Sequence, residues 1–428
     1  MITQKEYKKR RTNFAKTLKG NSIAVLMSAT PKTRSNDTEY PYRQNSNFYY
    51  LTGFKEDNSA LMAVKNSKGT KFFLFVQKKV EAEELWTGKR LGTLKAKEIF
   101  LVDDIFEMQS LGERLNAESA ICKNLYYDFS LEIERVESLK KECKKIDTYM
   151  DASKKIELLR LIKSKDEIAL IQKAVGITKE AHHAAIKKAK ELHFEYELQA
   201  EIEYIFKKNG AYSDAYTSIV ASGNAANTLH YISNDKALQK ESLILIDAGC
   251  EYDYYSSDIT RSIPVSGKFT KAQKELYEMV LDVEKQIIKM IAPGVLRSEL
   301  QSKSETLLCK GMIRLGVLKG SLKKLLKEKA HKKYYPHGIG HWMGLDVHDE
   351  CPYRDSKEQE IPLKAGMVMT IEPGLYLPIE DKNIPKRYRG IGIRIEDDIL
   401  VTKKGSRNLS KDIAKEVLDI EKIAYSSL

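Results

Sequence analysis

Three acidic residues sit where apolar strands end, and no other feature restricts the fold of this chain so tightly. Asp247 follows Leu243-Ile244-Leu245-Ile246, Glu372 follows Met367-Val368-Met369-Thr370-Ile371, and Glu396 closes Gly390-Ile391-Gly392-Ile393-Arg394-Ile395-Glu396. An ionised carboxylate in such a place costs on the order of several kcal/mol unless it is paired or holds a metal. In the last segment the two-residue period of a strand puts Ile391, Ile393 and Ile395 on one face and Gly392, Arg394 and Glu396 on the other. Each acid alone reads as a satisfied strand-end carboxylate or ion pair. Asp258 lies eleven residues beyond Asp247, in Ser256-Ser257-Asp258-Ile259-Thr260-Arg261, close enough for two adjoining strands to bring both carboxylates together. With one imidazole added, the four carboxylates admit a two-metal site.

The segment from Tyr334 to Asp349, YYPHGIGHWMGLDVHD, carries three of the eight histidines, His337, His341 and His348. His337 and His341 have the spacing of the metalloprotease helix H-E-x-x-H, but Gly338 and Gly340 oppose a helix and no glutamate follows His337. An extended or looped segment is expected. A lone histidine is more often a packed or surface residue than a ligand, so spacing alone assigns none of the three.

At 428 residues, 42% hydrophobic and 31% charged, the chain has room for two domains and lies outside the disordered and fibrous classes. Its apolar runs are far shorter than a membrane-spanning helix needs. The opening MITQKEYKKRRTNFAK has no signal-peptide pattern. The five cysteines, Cys122, Cys143, Cys250, Cys309 and Cys351, are far apart and without a C-x-x-C pair. A reducing cytoplasm is therefore the expected location. The net charge of +12 invites a nucleic-acid or acidic-membrane reading. The basic groups at Lys8–Arg11, Lys140–Lys145 and Lys323–Lys333 are short, usually with acids nearby, and show no interleaved aromatics, so they read as solvated faces. Neither nucleic acid nor membrane is expected as a partner.

Short apolar runs at Ile23–Met27, Ala60–Val64 and Phe72–Val76 alternate with helical stretches, as in an α/β domain. The Lys- and Glu-rich stretch from Glu132 to Lys165 reads as surface helix and linker, which places a domain boundary near residue 155, with domains 1–155 and 156–428. Ser164 to Glu167 has the pattern of a capping box opening a helix with Ile168, Ile171 and Val175 on one face. Thr270 to Gln273 opens a second helix, with Leu276, Val280, Val283, Ile287 and Ile291 on its apolar face until Pro293-Gly294 stops it. Ser298 to Gln301 repeats the cap. Leu243–Ile246 and Met367–Ile371 read as buried strands, so the second domain mixes helices and strands.

Four ordered segments, IDAGCEYDYYSSDITR, HGIGHWMGLDVHD, TIEPGLY and GIGIRIEDD, resemble the metallopeptidases of the pita-bread fold. The N-terminal RSNDTEYPYRQNSNFYYLTGF is similar to the bacterial Xaa-Pro aminopeptidases, also called aminopeptidase P. The resemblance runs over nearly the whole chain and implies an α/β N-terminal domain followed by an α+β pita-bread catalytic domain. Matched motif by motif, it implies Asp247, Asp258, His341, Glu372 and Glu396 as ligands of two divalent metal ions. It further implies Glu372 as general base and proton shuttle, His348 as a donor to the oxyanion, His230 and His337 as histidines lining the site, and Arg394 and Tyr376 behind it. Predominantly hard oxygen donors suit Mn²⁺, though Co²⁺ or Zn²⁺ could occupy such a site. Two ions roughly 3.5–4 Å apart bring a bridging water toward a pKa of about 7, and the hydroxide is the expected nucleophile.

The activity so implied is removal of the first residue from peptides with proline second, with the N-terminal domain capping the site. Asp37 and Trp86 match family positions that approach an active site, the tryptophan from a neighbouring subunit; ordinary core packing is the other reading of Trp86. A homo-oligomer, tetramer before dimer, is expected. Prolidase is the rival within the fold, and a metal-free binding module is a remote one that the complete ligand set opposes. The chain departs from the family in Ile339-Gly340, where relatives often have Leu-Ser, and Cys351–Glu360 matches no further substrate-binding arginine.

Overall fold

The computed structural model describes residues 1–143 and 145–426; Lys144, within the Lys140–Lys145 basic group, lies outside the described residues. The chain separates into two units, Met1–Arg160 and a second that begins at Leu161. The first is built on β1 (Ser22–Met27), β2 (Ala60–Asn66), β3 (Gly69–Val76), β4 (Asp104–Glu107), β5 (Asn124–Tyr127) and β6 (Thr148–Asp151), in the order β4-β3-β2-β1-β5-β6. β1 to β3 pair antiparallel, while β4, β5 and β6 join parallel to their neighbours. Ile23, Ala24, Val25 and Leu26 are all buried, so β1 has no solvent face and reads as one continuous apolar run. The expected α/β class holds for this unit.

The stretch read from sequence as surface helix and linker holds more than that. After a helix at Ile133–Glu142 the chain forms β6, which pairs parallel with β5. Its residues Thr148, Tyr149, Met150 and Asp151 are exposed or half-buried. An edge strand of this kind carries no apolar run, which is why periodicity missed it. The last helix, α1 (Ser153–Arg160), contains the residue-155 boundary of the sequence reading; the structural division falls at its end. Buried Arg160 donates from Nη1 to Asn47 Oδ1 at 2.8 Å, which ties that end to the first unit.

In the second unit the expected caps form at α2 (Lys165–Lys188) and α3 (Lys271–Met290). Ser164 Oγ accepts from Glu167 N and the Glu167 carboxylate accepts from Ser164 N; Thr270 and Gln273 do the same. Leu276, Val280, Val283 and Ile287 are buried along one face of α3. Along α2 the buried stripe is Leu170, Ile171, Ala174, Val175, Thr178 and Ala181, whereas Ile168 is only half-buried. The third cap is misplaced in the sequence reading. The helix there, α4 (Arg297–Arg314), has Leu296 at its N-cap, and Glu299 accepts from Leu296 N. Gln301 is thereby free to accept from Ile339 N, at 2.6 Å, and so fixes the glycine-flanked histidine segment.

Three small antiparallel sheets carry the acids. β7 (Ile219–Ser222), β8 (Leu243–Asp247) and β9 (Thr260–Pro264) pair with β8 central and Asp247 opposite both Ile219 and Thr260. β10 (Val368–Ile371) pairs with β13 (Asp397–Val401), and β11 (Gly374–Leu377) with β12 (Ile391–Arg394). Leu243 to Ile246 are entirely buried, as the apolar run demands. Between Asp247 and Asp258 the backbone folds back so closely that a Cβ on Gly249 would lie 1.9 Å from the Ser257 carbonyl oxygen.

Gly249→Ala therefore forces this hairpin open. It is expected to cost about 1–3 kcal/mol of stability, read as a lowered thermal unfolding midpoint of the second unit; an unchanged midpoint would contradict the close approach.

Candidate metal centre

Strand ends, loops and one glycine-flanked segment converge on a cavity of about 370 Å³, whose lining includes Asp247, Asp258, His337, His341, His348, Glu372, Arg394 and Glu396. The structure brings the five residues of the expected ligand set together. Donor atoms of Asp247, Asp258 and Glu396 lie within 4.8 Å of one another, as do those of His341, Glu372 and Glu396, and those of Asp258, His341 and His348. Glu396 belongs to two of these groups and Asp258 to two, the pattern of adjoining rather than separate sites.

Four of these donors are aimed by a partner. Asp247 accepts from Tyr216 Oη at 2.6 Å on one oxygen and from Arg394 Nη2 on the other. Glu396 accepts from Thr260 Oγ1 at 2.6 Å, and Glu372 from Thr370 Oγ1 at 3.3 Å. His341 Nδ1 lies 3.0 Å from the Trp342 carbonyl, which as acceptor holds a proton on Nδ1 and turns Nε2 toward the acids. That Nε2 points at Asp258, 3.2 Å away, and at Glu372, 3.8 Å away. Behind Glu396, buried Arg261 donates to the Glu396 carbonyl and to the Asp397 carboxylate, which also receives Lys415. This ring of opposite charges holds the backbone that presents Glu396.

The electrostatics show a site short of positive charge. Burial, with Asp258 and Glu372 adding to it, holds the Glu396 carboxyl well above its ordinary range. Burial pushes Glu372 up to about 7 against the pull of His341 and Arg394, and raises Asp247 despite Arg394. Burial would lower His341, yet the facing Asp258 and Glu372 carboxylates hold it up at about 9. Four carboxylates thus face the Arg394 guanidinium and the His341 imidazole. Hard oxygen donors, one imidazole nitrogen turned to them and acids in excess of cations fit divalent metal ions, which would displace the protons these groups hold.

A second chain of contacts runs beside the donors. Arg394 Nη1 donates to Tyr376 Oη at 2.9 Å, and Tyr376 Oη lies 2.8 Å from His337 Nε2. His337 Nδ1 meets the Gly338 carbonyl at 2.8 Å. Burial, with Arg394 nearby, lowers His337 to about 3, so the imidazole is neutral and Tyr376 gives its proton to Nε2. His348 is exposed at the rim, its ring 4.2 Å from that of His341, and His230 is an exposed member of the lining. The segment from His337 to His341 forms no helix, as the two glycines require. In the first unit Asp37 is exposed in a turn and Trp86 is 85% exposed, which excludes core packing for the tryptophan.

Tyr216, Thr260 and Thr370 were not singled out by sequence. Thr260 stands two residues after Asp258 and Thr370 two before Glu372, as Arg394 stands two before Glu396. The same-face period of a strand could have found both threonines. Tyr216 reaches Asp247 from a distant segment and carries no such signal.

A family model described as metallopeptidase family M24 matches residues 169–403, and one described as aminopeptidase P, N-terminal domain, matches residues 7–126. The Xaa-Pro aminopeptidase of Haemophilus influenzae is 38% identical over 427 residues, covering 99% of this chain and 97% of its own length. That of Escherichia coli is 37% identical over 439 residues, covering 100% and 99%. Among solved structures, zinc-substituted E. coli aminopeptidase P in complex with product superposes with a TM-score of 0.95 at 36% identity, covering 99% of this chain and 98% of that one. Proline aminopeptidase P II from Yersinia pestis gives 0.95 at 37% identity, with 99% coverage of both.

Thr260→Val removes the donor that aims Glu396 while keeping side-chain volume. Calorimetric titration with Mn²⁺ is expected to show affinity weakened about 10- to 100-fold; unchanged affinity would remove Thr260 from this role.

Proposed function

The chain belongs to metallopeptidase family M24, and from that premise we propose that it is a metal-dependent exopeptidase releasing the N-terminal residue from peptides with proline in second position. The observation that carries the reading is the convergence of four carboxylates and one imidazole in one cavity. The match to Xaa-Pro aminopeptidases over the full length of both chains supports the proline specificity and disfavours prolidase.

In this reading Asp247, Asp258, His341, Glu372 and Glu396 hold two divalent cations, and the hard donor set favours Mn²⁺. Such a pair would supply Lewis acidity and hydroxide near neutral pH. Glu372, anchored by Thr370 Oγ1 at the cavity wall, takes a proton from water and delivers it to the departing proline nitrogen. His348, exposed at the rim beside His341, donates to the oxygen of the attacked carbonyl. The Arg394–Tyr376–His337 chain keeps His337 neutral, with its ring fixed against the substrate. His230 contacts the peptide from the opposite wall. A peptide bond before proline lacks the N–H that other residues offer, so recognition rests on ring shape and on the carbonyl before it.

The reading includes a homo-oligomer, with a tetramer preferred. Leu85 and Trp86, 83% and 85% exposed on the helix Glu81–Thr87, form an apolar pair that an isolated chain leaves in water. Five buried cysteines free of disulfides support a reducing compartment, the cytoplasm.

The Mn²⁺-loaded protein is expected to hydrolyse Xaa-Pro tripeptides and longer peptides, and Glu372→Gln to abolish turnover with the fold intact by circular dichroism. Cleavage of Xaa-Pro dipeptides alone would favour prolidase, and substantial activity in Glu372→Gln would refute the role of that glutamate. Light scattering is expected to give the mass of an oligomer, and Trp86→Ala to shift it toward the monomer. A wild-type monomer would count against the assembly.

A further inference from the structure

Part of the cavity lining comes from a loop, and one buried carboxylate organises it. The loop runs from the end of β7 to residue 236 and contributes Leu229, His230 and Ile232 to the cavity. Its first part is anchored to the metal-bearing half of the fold. Asn224 Oδ1 accepts from Ile379 N, and the turn Gly223–Asn227 lies so close to β12 that a Cβ on Gly392 would be 2.5 Å from the Ala226 carbonyl oxygen. Its last part is anchored by Asn234, 1% exposed and in the left-handed region at φ 48°. That side chain accepts from Val220 N and donates to the Ser218 carbonyl and to Gln199.

Between these anchors the chain from Thr228 to Ser233 is exposed or half-buried. Its middle is reached by Glu195, a fully buried residue opening the helix Glu195–Lys208. One carboxylate oxygen accepts from Ser222 N and Oγ, both at 2.6 Å, at the start of the loop. The other accepts from Tyr231 Oη at 2.7 Å, in its middle, and from Lys236 N at 3.0 Å, at its end. Asp235 Oδ1 also lies 3.0 Å from Tyr231 Oη, but the single hydroxyl proton favours the closer, buried carboxylate.

We propose that Glu195 and Tyr231 are positioning residues for substrate binding: the buried carboxylate pulls the phenol inward and so sets where the adjacent His230, with Leu229 and Ile232, meets the peptide. Neither residue belongs to the donor set. The latch therefore acts on the fit of the substrate and leaves cation binding alone. This inference rests on the peptidase reading only for the meaning of the wall, since the latch itself is a property of the fold.

Tyr231→Phe removes the hydroxyl and little else, and leaves Glu195 its three other donors. Two measurements on the full chain test it. In the metal-free protein, hydrogen exchange of residues 228–233 is expected to speed up, while the segment around Asn234 stays protected. In the Mn²⁺-loaded protein, KM for Xaa-Pro tripeptides is expected to rise about tenfold with kcat within about twofold. Calorimetric affinity for Mn²⁺ is expected to stay unchanged. Ser222→Ala, which removes one bond at the already anchored end, is expected to keep KM near wild type. Unchanged exchange, a loss of kcat or Mn²⁺ affinity at constant KM, or faster exchange without any change in KM would each overturn the proposal. A wild-type protein inert toward Xaa-Pro peptides would defeat the peptidase reading instead, and the exchange result would still decide whether the latch exists.

Discussion

The burial of four carboxylates together in one cavity is the constraint on which the second unit depends. Each of Asp247, Glu372 and Glu396 has its ionisation opposed by burial, and among the described residues Arg394 is the guanidinium that reaches the cluster. Because folding raises these groups above their ordinary values, the metal-free fold loses stability as pH climbs through the acid range toward neutrality. What offsets this is the surrounding frame. Hydroxyls of Tyr216, Thr260 and Thr370 each give one acid a hydrogen bond, and the sheets fix the backbone so that the acids cannot drift apart.

That frame has its own buried charges, and several of them are matched by opposite ones. Arg261 and Lys415 meet Asp397 and Glu284 behind Glu396, and Lys163 meets Asp349 at 2.9 Å beside His348. Burial of ions is tolerated where opposite charges and hydrogen bonds are in place. Behind the cavity cations meet Asp397 and Glu284 directly, whereas the acids that line it outnumber the guanidinium among them. Acids in excess on a cavity wall are an attraction for cations, and exposed His348 offers that wall a donor.

The core of the site was legible because its chemistry interrupts a pattern. An acid after Leu243–Ile246 or Met367–Ile371 breaks an apolar run, and a two-residue period placed Arg394 beside Glu396; the structure puts all of them on one cavity. What was not legible lies where no pattern is broken. β6 is an edge strand with half-exposed residues, and the cap of α4 was misplaced because Ser298 and Gln301 imitate a box while Leu296 takes the position. Tyr216 meets Asp247 across 31 residues, and Glu195 reaches Tyr231 across 36, so neither leaves a mark on local spacing. His230 stands out by its resemblance to a family histidine, whereas Tyr231 beside it breaks no pattern.

The ladder that pairs Asp247 with Thr260, and β10 with β13, runs on a period of two. Deleting a single residue upstream in β8 or β10 would turn the following side chains over, exchanging an acid for an isoleucine at the cavity and thrusting the acid into the hydrophobic layer. Length changes in this half of the molecule are thus confined to its connecting turns. Drift in the strands must proceed by replacement at constant count, which is why a cation-binding surface can keep its shape while the loops around it grow, shrink and acquire new preferences.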